Sequence, residues 1–478
     1  MDIAIRAGEI VTSGSRFRAD IGIADGRIVQ LGGSVDRATT EIDATGKIVI
    51  PGGIDMHVHL SPAFVPAGVG PGGVASEGAA AGAEAGEVVV GWADDFRSGS
   101  RAAAAGGITT MGNVTFPRVG ESLLSAVERT TADAARDSLI DFVLHPVVLD
   151  ATKTSAADIA ALAELGHRSI KMFMMFDTFE SNVLQFVRLM KTAGEQGVMT
   201  LLHCEDACIV SLLAQTLLAA GRGQPANYGL SRPVYSESVA VSRAVAFCEA
   251  TGAPIYIVHL SSSEALDVAR GARQRRLPVY VETRPIYLFF DESRFSGPDG
   301  PLYIGNPPLR KSSDIEALWA GLATGGIDTC CTDHAPSKRA EKLDPSRDIT
   351  TVSPGMADLD TLMPLLYSEG VLKGRISLER FVEVTSTNAA KLFGIYPRKG
   401  TIAIGSDADV VVWDPKETRT FSAANAFTNA DFSLYEGWKI TGWPLVTVSR
   451  GEVIYQSGRI LRDGGRGRLV EMQSPRPL

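Results

Sequence analysis

Residues 169–204, SIKMFMMFDTFESNVLQFVRLMKTAGEQGVMTLLHC, decide the fold. The stretch opens on an apolar run at 169–175 and closes on another at 198–204. Between them, SNVLQFVRLMKTAGEQG carries apolar residues at i, i+3, i+4 spacing and stops at a glycine. Strand, helix, strand in so short a span is one parallel crossover unit. The same texture extends both ways. Eight apolar, β-rich runs fall at 53–60, 107–115, 139–148, 169–175, 198–204, 254–260, 278–283 and 327–332, most followed by helix-like segments such as SESVAVSRAVAFCEATG. Eight repeats predict an α/β fold, a closed (β/α)8 TIM-type barrel over residues 53–394. An open doubly wound sheet fits less well, because no GxGxxG or GxxxxGKS/T follows the first run.

The flanks read differently. DIAIRAGEIV, FRADIGIADGRIVQLGG and TEIDATGKIVIPGG are short β-branched runs broken by Gly and Asp, and GTIAIGSDADVVVWDP and PLVTVSRGEVIYQSGRILRD repeat that pattern near the end. Residues 1–52 and 395–460 are expected to form one small β-sandwich, with 461–478 as a C-terminal tail. One stretch stands out inside the barrel region: Ser61–Gly91 holds eight glycines and is too long for a routine barrel loop. It leaves the first strand at the catalytic face, where it is expected to form a lid or pocket wall.

Composition narrows the class. The 478 residues are 45% hydrophobic and 21% charged, as in a globular protein, and the net charge of −9 argues against nucleic-acid binding. No window reaches the roughly 18–20 apolar residues of a membrane span. The start, MDIAIRAGEIVTSG, lacks the apolar core of a signal peptide. The five cysteines are odd in number and lack zinc-ribbon spacing. A cytoplasmic location with no membrane or nucleic-acid partner is the expectation.

The chain holds only seven histidines, so where they fall matters. His57 and His59 end the first run two residues apart, on one face of a strand. Lys171 sits inside the apolar fourth run, a costly place for an amine. His203 ends the fifth run, His259 the sixth, and Asp333 with His334 the eighth. Singly, each has a plainer reading: a hydrogen-bonded strand-end imidazole, a snorkelling lysine, a helix-capping aspartate. Together they map to the C-terminal ends of five strands, where barrel active sites lie. Imidazole and carboxylate ligands suit zinc and similar metals. Six candidate ligands exceed one catalytic zinc, so two divalent metals about 3.5–4 Å apart are expected, with Asp333 as general base and then acid. His145 reads as a core hydrogen-bonding residue, His167 as exposed, and His334 as a supporting neighbour of Asp333.

At these residues the chain resembles the cyclic amidohydrolases of the amidohydrolase superfamily, which include hydantoinases, dihydropyrimidinases, allantoinases and dihydroorotases. PGGIDMHVHL, DDFRSGSRAAAAGGITTM, SIKMFMMF, IVHLSSSEAL, NPPLR, CTDHAP and GSDADVVVWDP look like family segments in the family order, over nearly the whole chain. The resemblance implies a binuclear zinc site bridged by N-carboxylated Lys171. His57, His59, Lys171 and Asp333 would hold one metal; Lys171, His203 and His259 would hold the other. A metal-bridging hydroxide would attack a ring amide and Asp333 would pass its proton to the leaving nitrogen. A homotetramer or dimer is also implied.

Several positions depart from the hydantoinase pattern. The oxyanion-binding Tyr five residues after the lysine is Phe176, which cannot donate. The Ser before the PPLR pair is Asn306, the PNG segment is replaced by Ser353-Pro354-Gly355, and VETCP becomes VETRP, introducing Arg284. Phe176, Arg284, Asn306 and Gly355 are therefore the expected substrate-facing positions. HVHL is followed by Ser61 rather than a carboxylate-reading Arg, which argues against dihydroorotase. The expected activity is metal-dependent hydrolysis of a C–N bond in a hydantoin- or dihydropyrimidine-like ring, with an allantoinase-like or other cyclic imide hydrolase as the alternative. A non-catalytic dihydropyrimidinase-like scaffold would have lost metal ligands, whereas all six positions are filled here. A single-metal deaminase would lack the strand-four lysine.

Overall fold

The computed structural model describes residues 1–66 and 87–478. Each of the eight apolar runs contributes a barrel strand: Gly53–Val58, Ile108–Thr115, Asp141–Pro146, Ser169–Phe173, Met199–His203, Ile255–Ile257, Val279–Thr283 and Thr329–Cys330. Neighbours pair in parallel along the chain, with Val147 bridging to Lys171 between the third and fourth strands. The ring closes where Val58 bridges His334 and the His59 N–H donates to the His334 carbonyl at 2.8 Å. This is the TIM-type barrel, and its strands are continuous apolar runs because both faces are covered.

Inside the barrel Ile54, Met56, Val143, Met199, Leu201, Tyr256 and Cys331 pack with Phe393 and Val470. Space there is tight: a Cβ on Gly112 would lie 2.3 Å from His145 Nε2. The crossover helices start and stop as their sequences dictate. Asp95 caps Phe96–Gly106 by accepting from the Ser98 N–H at 2.9 Å, and Gly107 ends it at φ 88°. SNVLQFVRLMKTAGEQG forms the helix Val183–Glu195, which buries Phe186, Leu189, Met190 and Ala193 on one face.

The two chain ends meet in one nine-stranded sheet. The strand Ile48–Pro51 pairs in parallel with Ile3–Val11 and antiparallel with Val410–Thr420, placing Val49 opposite Val412. Isoleucines 3, 5, 10, 21, 23 and 28 fill its core with Val410 and Val448. A buried ion cluster ties sheet to barrel: Lys399 Nζ donates to Asp141 at 2.7 Å and to Asp409 at 2.6 Å, and Arg450 donates to Asp141 at 2.9 Å.

One expectation is overturned. His167 is buried, not exposed. The C-terminal segment covers it: Val470 N–H donates to Phe142 O at 2.8 Å and Met472 N–H to Gly166 O at 2.9 Å. Beyond the first strand, the backbones of Ala63–Pro66 and Glu87–Val90 pair antiparallel. Of the expected lid or pocket wall at Ser61–Gly91, residues 67–86 lie outside the described residues. No helix among the described residues is long and apolar enough to cross a membrane.

The ion cluster generates a stability prediction. Lys399→Met leaves Asp141, Asp407 and Asp409 without their central cation and should destabilise the fold by about 3–5 kcal/mol, read from chemical denaturation. An unchanged unfolding midpoint would contradict it.

Candidate metal centre

The barrel's C-terminal face brings the expected ligands together. His57 lies in the first strand and His59 just past it; Lys171 is in the fourth, His203 ends the fifth, and His259 and Asp333 follow the sixth and eighth. All six are buried. His259 and Asp333 have left-handed backbones, with φ of 38° and 50°. Non-glycine residues pay for that conformation, and it persists where the surroundings enforce it.

The donor atoms form two adjoining groups. Asp333 Oδ1 lies 3.1 Å from His59 Nε2 and 3.4 Å from His57 Nε2. One ligand atom each from His57, His59 and Asp333 falls within 4.8 Å of the others, as holding a single ion requires. His203 Nδ1 and His259 Nε2 face each other at 3.0 Å. Lys171 Nζ stands 3.4 Å from His57 Nε2. Burial pushes the Lys171 amine down to about 8, against the pull of Asp333 and Glu282.

Two buried carboxylates set which nitrogen each ring offers. His57 Nδ1–H donates to Glu282 Oε1 at 2.8 Å, which turns Nε2 inward. His203 Nε2–H donates to Glu205 Oε2 at 2.8 Å, which turns Nδ1 inward. Carboxylate-held imidazoles of this kind are the usual support of metal-binding histidines. Glu282 also accepts from the His259 N–H at 3.0 Å and from the Tyr256 hydroxyl at 2.9 Å. Burial alone would raise the Glu205 carboxyl, but Arg232 at 2.8 Å, His203 and Arg310 together outweigh it and hold the group down at about 2. Neither glutamate was singled out from the sequence. The signal was present, because a carboxylate inside or just beyond an apolar strand is as costly as Lys171.

Asp333 has its own anchor. Arg284, fully buried, donates from Nη1 to Asp333 Oδ2 at 2.7 Å. Burial pushes the Asp333 carboxyl up, yet Arg284 and the two imidazoles outweigh it and hold it well below its ordinary value. His334 donates from Nε2 to Asp94 at 2.9 Å, and its Nδ1 accepts from the Asp358 N–H. His145 is hydrogen-bonded to Ser169 in the core at 2.6 Å.

The centre opens into a cavity at the barrel mouth. Phe176 and Asn306 line it, together with Trp92, Phe116, Phe173 and Met175. The aromatic wall is continuous: Phe173 stacks on Phe176 at 4.9 Å and on Phe116 at 5.7 Å. Two expected substrate contacts do not reach this cavity. Arg284 is turned to Asp333, and Gly355, whose carbonyl accepts from Lys342 at 2.7 Å, is not among the lining residues.

The family model for the amidohydrolase family matches residues 48–461. The chain belongs to the amidohydrolase family. It is 36% identical over 476 residues to a D-phenylhydantoinase of Escherichia coli O9:H4, covering 98% of both chains. The D-hydantoinase of Bacillus sp. AR9 superposes with a TM-score of 0.90 at 34% identity over 99% of each chain. The dihydropyrimidinase of Brevibacillus agri superposes at 0.89 with 33% identity over 100% of each. The L-hydantoinase of Arthrobacter aurescens superposes at 0.85 with 27% identity, over 98% of this chain and 99% of its own.

The supporting carboxylates are testable. Glu282→Gln keeps the shape but offers His57 a poorer acceptor, and should weaken divalent-metal affinity about 10–100-fold. Metal titration of the stripped protein reads this; wild-type affinity would contradict it.

Proposed function

We propose that this chain opens a cyclic amide ring by metal-dependent hydrolysis. In this reading two divalent metals, zinc the expected ion, would be held by His57, His59 and Asp333 and by His203 and His259, with N-carboxylated Lys171 as a further ligand. One observation carries it. In a member of the amidohydrolase family, Glu282 and Glu205 turn His57 Nε2 and His203 Nδ1 toward the cavity that Asp333 also lines, with Lys171 Nζ 3.4 Å from His57 Nε2. The bound metals would supply Lewis acidity, polarising the amide carbonyl and acidifying the attacking water.

The chain's residues do the rest. Arg284 fixes Asp333 through Oδ2, leaving Oδ1 toward the imidazoles. Asp333 accepts the water proton as the C–O bond forms and returns it to the ring nitrogen as the C–N bond breaks. The product is an open-chain carboxylate with its nitrogen protonated. The aromatic wall keeps bulk water from the centre and strengthens the electrostatic contacts inside. It also bears on the substrate. A hydantoin- or dihydropyrimidine-like ring with an apolar or aromatic substituent packs against Phe116, Phe173 and Phe176. The ureido arm of allantoin finds no polar partner on that wall.

Exposed apolar side chains on the neighbouring helical segments, Leu184, Leu212, Leu230 and Tyr235, are the surface we assign to self-association. Leu212→Glu should lower the mass measured by sedimentation; an unchanged mass would contradict this.

An activity panel on metal-replete protein tests the reaction: hydantoins with and without an aromatic substituent, dihydrouracil, allantoin, dihydroorotate, simple imides and lactams. The aryl hydantoin should exceed allantoin in kcat/KM by about 10–200-fold, the range of one apolar contact. Opening of none of these rings, or a preference for allantoin, would contradict the reading. Lys171→Met should abolish turnover, and the intact wild-type chain should weigh one carbon dioxide more than its sequence. A wild-type mass without that increment would contradict carboxylation.

A further inference from the structure

The cavity lacks a hydrogen-bond donor where relatives are expected to place a tyrosine, because position 176 is phenylalanine. A ring carbonyl that gains negative charge needs one. Outside the imidazole and Asp333 cluster, the lining side chains are almost all apolar. Trp92 has a ring N–H, but donates it to the Ser61 carbonyl at 3.1 Å. That leaves Asn306.

An asparagine can present either its carbonyl or its amide, and a buried relay settles which. His203 Nε2–H donates to Glu205, and Arg232 Nη1 donates to the same oxygen, each at 2.8 Å. The Arg232 guanidinium lies over the Tyr228 ring, 5.4 Å from its centroid. Tyr228 and Arg232 are fully buried. An amide oxygen only accepts, so the hydrogen bond between Tyr228 and Asn306 Oδ1 uses the Tyr228 hydroxyl proton. With Oδ1 so engaged, the two Nδ2 protons of this cavity-lining residue are left to be donated elsewhere.

We propose that Asn306 Nδ2 donates to the substrate carbonyl in place of the absent tyrosine, and that Tyr228 and Arg232 are positioning residues that lock it in that orientation. The relay thereby joins the metal-facing His203 to the substrate-facing amide through Glu205, Arg232 and Tyr228. This deepens the hydrolase reading and rests on it.

Steady-state kinetics and metal content of the full-length metal-replete chain test it. Asn306→Leu keeps the volume and removes the donor. Its kcat should fall about 10²–10³-fold, as for loss of one oxyanion donor, with KM little changed and metal content as in wild type. Tyr228→Phe frees the amide to turn and should lower kcat about tenfold. Added to Asn306→Leu it should cost nothing more, because the two act as one unit. Phe176→Tyr in the Asn306→Leu background should recover part of the loss. Should Asn306→Leu fail to fold, Asn306→Ala carries the same expectation. Wild-type kcat in the leucine variant, loss of its metal, or multiplicative effects of the two substitutions would overturn the proposal. A wild-type chain that opens no ring with metal bound would instead overturn the hydrolase reading.

Discussion

A neutral imidazole has one lone pair to give, and the site depends on which nitrogen gives it. Glu282 and Glu205 make that choice. By accepting the Nδ1 proton of His57 and the Nε2 proton of His203, they aim two lone pairs into one cavity. Both glutamates are fully buried, so each charge needs its own support. Arg232 supplies it for Glu205; the Tyr256 hydroxyl and the His259 N–H supply it for Glu282. Removing any of these members would strand a charge in the interior, so the arrangement is held as a unit.

Closure of the barrel and construction of the centre use the same residues. The hydrogen bond from His59 N–H to His334 O joins the first and eighth strands at the point where His59 and Asp333 meet. Asp55, beneath them, accepts from the His57 N–H and the Thr332 N–H, both at 3.0 Å. A shift in either strand would move ligands and ring closure together. The left-handed backbones of His259 and Asp333 are tolerated within this frame.

The barrel was legible because its strands are uninterrupted apolar runs, and the ligands because polar residues inside such runs are expensive. Lys171 and the four histidines stand out because they converge on the C-terminal ends of the strands. Pairing across strands was not legible. His57 and Glu282 lie 225 residues apart, and no local pattern links them. Arg284 shows the same gap: it stands out in VETRP, but nothing local to that segment points to Asp333, 49 residues on, as its partner. His167 was read as exposed because the segment that covers it arrives about three hundred residues later, near Met472. Tyr228 sits in the polar stretch QPANYGLS, which carries no periodic signal. Its role emerges only where Arg232 and Asn306 meet it in space.

The central claim is that paired, carboxylate-held imidazoles form two adjoining metal sites. The direct test is metal analysis of the purified active chain beside its His203→Ala variant. The account predicts two divalent ions per chain in the wild type and one in the variant, with turnover lost in the latter. Full activity in protein that holds no metal, or the same metal content in both, would contradict it.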